Sequence, residues 1–160
     1  MDILAHFLWT YVIYFRYKTH RLLAAFFGIF PDLGSFGFFF LLSLFSGTLE
    51  FGKPELSSIP NYVFFSYNLT HSLIAAFFVI LVIYLLTKRI PWILGGWILH
   101  ILIDIPTHTD SFFPTPFLWP LSNFTFNGIS WADKEFLIIN YSLLILVYAY
   151  LFIKFKDKKV

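Results

Sequence analysis

Residues Gly95 to Pro120 read GGWILHILIDIPTHTDSFFPTPFLWP. Inside this largely apolar run His100, Asp104 and His108 stand four residues apart. On a helix, positions i, i+4 and i+8 share one face. Pro106 is expected to end that helix near Asp104 and leave His108 on the turn that follows. Two imidazoles and a carboxylate on a hydrophobic segment are costly to bury without a partner. A metal ion satisfies all three at once. The remainder of the chain offers further candidate ligands and a frame to hold them.

Composition names the frame. The 160 residues are 59% hydrophobic and 12% charged, against about 25% charged in an ordinary soluble domain. The expectation is an all-α integral membrane protein, a single domain over 1–160, because one helical span takes about 20 residues. A net charge of +2 without a basic face argues against nucleic acid as a partner. The chain has no cysteine, which removes disulfides and thiolate ligands. Any metal must then be held by His, Asp, Glu or water, which points to zinc, with manganese or iron as alternatives.

Working outward, five transmembrane helices are expected. The first apolar run, Ile3–Phe15, is short for a span and carries Asp2, His6 and Thr10 on one polar stripe. Leu22–Leu49 follows a basic turn (Arg16, Lys18, His20, Arg21) and is expected to break at Pro31-Asp32, placing Asp32 at mid-depth on irregular backbone. The third helix starts near Pro60-Asn61, bears Thr70, His71 and Ser72, and closes at Lys88-Arg89. The fourth, Pro91–Ile105, holds His100 and Asp104, and the fifth is Phe136–Ile153. Between the last two lies a long aromatic and proline-rich loop over 106–134, and residues 154–160 form a basic tail. So long a loop in a small domain is more often functional than not. Its stretch Phe112–Ser122 reads either as an interfacial lid, with Phe117 and Trp119 touching substrate, or as a plain aromatic belt.

Charge gives an orientation. With the amino terminus outside, nine of the eleven basic residues fall on the cytoplasmic side and only Lys53 and Lys134 remain outside. Under that topology His6, Asp32, His71, His100, Asp104 and His108 all reach one level in the outer half of the bilayer. Each has a plainer reading alone: His71 as a packing residue, His100 with Asp104 as a His–carboxylate pair, Asp32 as a helix cap. Together they suggest a site for one or two ions, with a bridging carboxylate if there are two. His20, in the basic turn, is expected to be solvated.

The order of these elements resembles a known family. His6, Pro31-Asp32, Thr70-His71-Ser72, His100-x3-Asp104 and Leu118-Trp119-Pro120 look like the YdjM-like metal-dependent hydrolases of prokaryotic inner membranes, over most of the chain from His6 to about Ser122. Ligand order alone is also similar to that of zinc phospholipases C and related single-strand nucleases. That similarity implies Asp32, His71, His100 and Asp104 around one ion, with Asp104 bridging to a second held by His6 or His108. The chain lacks the later His-x3-Glu pair of those enzymes, so one or two ions are expected rather than three.

The resulting expectation is a multi-pass inner-membrane hydrolase that cleaves a phosphoester of a lipid or lipid-linked substrate, with His100 and Asp104 at its centre. Two other readings use the same residues. A metal-ion or proton transporter would employ the ligands for passage, and a structural protein would use them to bind helices together.

Overall fold

The computed structural model describes residues 1–48 and 53–156. The chain is all-helical, 67% helix, with no strand among the described residues. Among the described residues six α-helices follow in order: α1 (Ile3–Ile13), α2 (Arg21–Phe45), α3 (Asn61–Thr70), α4 (Leu73–Thr87), α5 (Gly95–Thr107) and α6 (Lys134–Phe155), with single 3-10 turns at Leu56–Ser58 and Trp92–Leu94. Leu49, the end of the second apolar run, and residues 157–160 of the expected tail lie outside the described residues.

Fewer helices can cross a membrane than the five expected. Among the described residues α2 and α6 are long and apolar enough, and α3 with α4 makes a third if the bent pair is one span. Helix α1 has 11 residues and α5 has 13. At 1.5 Å per residue they are about 16 and 20 Å long, short of the ~30 Å hydrocarbon layer.

The break also lies elsewhere than expected. Helix α2 runs unbroken through Pro31, whereas the third segment divides at His71-Ser72 with a 60° bend. Proline deletes one N–H and pushes against the preceding turn, and neighbouring groups can satisfy what it frees. Here His100 Nδ1 lies 2.7 Å from the Gly28 carbonyl, next to the Phe27 carbonyl that loses its helical donor, and Thr70 Oγ1 lies 3.1 Å from the Pro31 carbonyl. The division at His71-Ser72 is capped in its own way. Ser72 Oγ accepts from Ala75 N at 3.1 Å and donates to the Trp119 carbonyl, while Leu73 N donates to the Phe117 carbonyl at 3.0 Å. These contacts give α4 an N-cap and use the loop after α5 to do so.

Helix α5 likewise continues through Pro106 to Thr107, one turn further than expected, with His108 as its extended C-cap. Near a helix end, proline's missing N–H deprives only one carbonyl of a partner. The returning arm then closes that end: Gly128 N, Ile129 N and Trp131 N donate to the carbonyls of His108, Pro106 and Thr107 at 2.8–3.0 Å. A Cβ at Gly128 would run into the Pro106 carbonyl, so only glycine permits this approach.

The basic segments meet at one pole. Tyr14 Oη donates to the Trp92 carbonyl at 2.7 Å, the rings of Phe15 and Phe155 are 5.1 Å apart, and Arg21 lies over the Tyr11 ring. His20 is exposed there. Midway, Trp9 Nε1 donates to Asn140 Oδ1 at 2.8 Å, tying α1 to α6. Interhelical bonds of this kind contribute about 0.6 kcal/mol and seldom more than about 1.7. Asn140→Leu should therefore lower stability by about 1 kcal/mol at most, read as a small shift of thermal unfolding in detergent; a collapse of the fold would contradict this.

Candidate metal centre

Four elements deliver the polar side chains to one point. Helix α1 brings His6, α2 brings Asp32, the bend between α3 and α4 brings His71, and α5 brings His100 and Asp104, with His108 at its end. His6, His71, His100 and Asp104 are fully buried. The Asp32 side chain keeps 15% exposure, which opens the group to an adjoining cavity.

Asp104 is the hub. Its Oδ1 lies 2.9 Å from His6 Nε2 and 3.5 Å from His108 Nε2, and it touches the nitrogen of Met1. Its Oδ2 lies 3.0 Å from His100 Nε2 and 3.6 Å from His71 Nε2. Asp32 Oδ1 lies 3.5 Å from His71 Nε2 and 3.8 Å from His100 Nε2. Asp32, His71, His100 and Asp104 each offer one ligand atom, all within 4.8 Å of one another, and this group could hold a metal ion.

The far sides of the rings determine what the near sides present. His100 Nδ1 faces the Gly28 carbonyl at 2.7 Å, and His108 Nδ1 faces the Phe113 carbonyl at 2.7 Å. His71 Nδ1 lies 3.2 Å from the Tyr67 carbonyl and 3.1 Å from Thr70 Oγ1. A carbonyl accepts only, so each Nδ1 carries a proton, and in the neutral ring each Nε2 then turns a lone pair inward. This is the usual outer-shell arrangement of metal-bound histidine. The Nε2 atoms of His71 and His100 face each other at 3.1 Å, and Asp104 Oδ2 is buried without a hydrogen-bond partner although His100 Nε2 is 3.0 Å away. A cation held among these atoms would satisfy all three.

Spacing fits a small divalent ion. Tetrahedral ligands at 2.0–2.1 Å from zinc stand about 3.3 Å apart. Five of the six pairs among the four ligand atoms measure 3.0–3.8 Å.

Stacking holds the rings. His6 lies on His100 at 3.7 Å and 21°, and Tyr67 on His71 at 3.8 Å and 23°. Of these groups Thr70 is marked in the sequence, within Thr70-His71-Ser72, whereas Tyr67 and the carbonyls of Gly28 and Phe113 are not. Tyr67 stands four residues before His71, a spacing that would have suggested a shared face. Phe113 left no such signal. Its φ of +46° is a strained value for a bulky residue, and its carbonyl accepts from Tyr67 Oη at 2.8 Å as well as facing His108.

Comparison with family models, with curated proteins and with solved structures finds no match. The geometry carries the reading.

Phe117 and Trp119 are not among the residues lining the cavity beside the polar group. Phe117 packs against the cluster of Ala76, Trp97 and Ile101, and Trp119 meets Phe65 edge-on at 6.1 Å. Their main-chain carbonyls serve the start of α4. The cavity of about 790 Å³ that reaches Asp32 and His108 is walled instead by Phe36, Phe40, Phe112 and Trp131.

Proposed function

We propose that the protein is a membrane-embedded, metal-dependent hydrolase that cleaves a phosphoester of a lipid or lipid-linked molecule. The observation that carries this is the convergence of two unprotonated Nε2 atoms and two carboxylates at near-tetrahedral spacing beside an open cavity. Zinc suits this donor set best, with manganese or iron as alternatives. Asp32, His71, His100 and Asp104 would hold the first ion, and His6 and His108 are the residues available to a second, in place of the Met1 nitrogen that lies against Asp104. A bound metal would supply a Lewis acid and would lower the pKa of a water it admits as a further ligand.

The chain's own residues do the remaining work. The Gly28 and Tyr67 carbonyls fix the orientation of His100 and His71, so the centre is preorganised. The helix packing around His6, His100 and Asp104 excludes water from the inner side and leaves the Asp32 side as the approach. Substrate reaches that side from a membrane because the flanking helices are apolar. The order of His6, Pro31-Asp32, Thr70-His71-Ser72 and His100-x3-Asp104 supports placing the chain with the YdjM-like hydrolases. Collection of basic residues at the opposite pole supports a prokaryotic inner-membrane orientation with the amino terminus and the site toward the outside. A transporter would need a polar path to the basic pole, and Leu73–Leu86 and Leu143–Ile153 carry only tyrosines as polar groups.

Protein purified in mild detergent should hydrolyse at least one member of a lipid phosphoester panel. Activity should vanish after chelation and return with added zinc, manganese or iron. Absence of turnover across the panel in metal-replete protein would sink the hydrolase reading.

A further inference from the structure

The cavity beside the centre combines charged and apolar lining. Asp32, His108 and Lys53 line it, as do Met1 and Asp2, together with hydrocarbon and aromatic surface from Leu4, Phe36, Phe40 and Phe112. Its volume of about 790 Å³ lies within the roughly 300–1,000 Å³ typical of ligand pockets.

Lys53 is held over this cavity rather than swung away from it. Its ammonium donates to Ser130 Oγ at 3.0 Å. It also lies 5.3 Å from the Phe112 ring centre and 5.5 Å from that of Trp131, within cation–π range. Lys53 is the one lysine or arginine among the residues lining the cavity. A cation beside an apolar wall complements a molecule with an anionic head and a hydrocarbon tail. A soluble phosphoester would leave the aromatic wall uncovered, and a neutral lipid would leave Lys53 without a counter-charge.

Resting on the hydrolase reading, we infer that this cavity binds an anionic amphiphile, a phosphoryl head on a long hydrocarbon chain. The chain lies along Phe36, Phe40 and Phe112, and Lys53 is the residue that selects for the anionic head. Lys53 is a specificity residue and takes no part in bond breaking.

The test is photo-cross-linking in phosphatidylcholine nanodiscs with phosphatidic acid carrying a diazirine on its acyl chain. Label should appear on peptides containing Phe36, Phe40 or Phe112, and unlabelled phosphatidic acid should compete where diacylglycerol does not. Lys53→Ala should reduce labelling about tenfold and Lys53→Arg should restore it; Lys53 is exposed, so both variants should fold. Equal labelling by a diacylglycerol probe, indifference to Lys53→Ala, or equal competition by inorganic phosphate would overturn the inference. The readout needs no turnover, so it stands if the hydrolase reading fails. Conversely, hydrolysis of p-nitrophenyl phosphate without labelling of the cavity would overturn this inference and leave the hydrolase reading intact.

Discussion

Asp104→Ala is expected to reduce bound metal from near-stoichiometric to background. No other side chain touches so much of the group: its two oxygens lie within 3.6 Å of His6, His71, His100 and His108. Without it the remaining histidines surround a gap in which Asp32 is the only carboxylate. Loss of the ion removes several kcal/mol of transition-state stabilisation. At 1.36 kcal/mol per tenfold, hydrolysis should drop by roughly 10³. Elemental mass spectrometry on purified wild type, Asp104→Ala and the His100→Ala plus Asp104→Ala double variant measures the metal directly. Thermal unfolding measures the linkage. Metal at a thousand times its dissociation constant should stabilise the wild type by about 4 kcal/mol and leave Asp104→Ala unmoved. If the two proteins melt alike with and without metal, the cluster only binds helices together. Asp104→Asn separates the roles, since the amide keeps the shape and loses the charge.

The second large effect is expected at Gly96 and not at its neighbour. A Cβ on Gly96 would collide with the main chain of α2, at the Ala24 carbonyl and near Gly28 N. Backbone cannot move aside as a side chain can. Overpacking of this kind costs about 1–3 kcal/mol, and the strain falls on the turn whose Gly28 carbonyl holds His100. Gly96→Ala should therefore lower the melting temperature by several degrees and weaken metal binding about 10- to 100-fold, as loss of an outer-shell partner does. Gly95→Ala is the control. Its Cβ would meet the Tyr14 hydroxyl, the end of a side chain that can swing aside at the loss of its bond to the Trp92 carbonyl, and the cost should stay under that of Gly96→Ala. Equal behaviour of the two variants would mean that α2 and α5 do not pack this closely.

Both results depend on matters that the sequence reveals to different degrees. The apolar composition identifies a membrane frame, and the four-residue spacing of His100, Asp104 and His108 puts them on one face. Both are local properties of a helix with 3.6 residues per turn. The convergence of His6, Asp32 and His71 on that face could be anticipated from depth along each helix, because depth is a count of residues. Span number could not be read so well. Apolarity alone does not separate a helix of 11 or 13 residues from one that crosses the bilayer.

The position of the break was decided by tertiary structure. Pro31 and the Thr70-His71-Ser72 stretch are both plausible places for α2 or the third segment to divide. The energy of each depends on which backbone groups find partners. At Ser72 and Leu73 those partners are the carbonyls of Trp119 and Phe117, more than 40 residues away in the chain. At Pro31 the neighbouring turn is met by His100, 72 residues from Gly28. The same holds for the tautomers of the histidines. The sequence names the rings, but only long-range packing places the carbonyls of Gly28 and Phe113 behind them and so decides which nitrogen faces the candidate metal site.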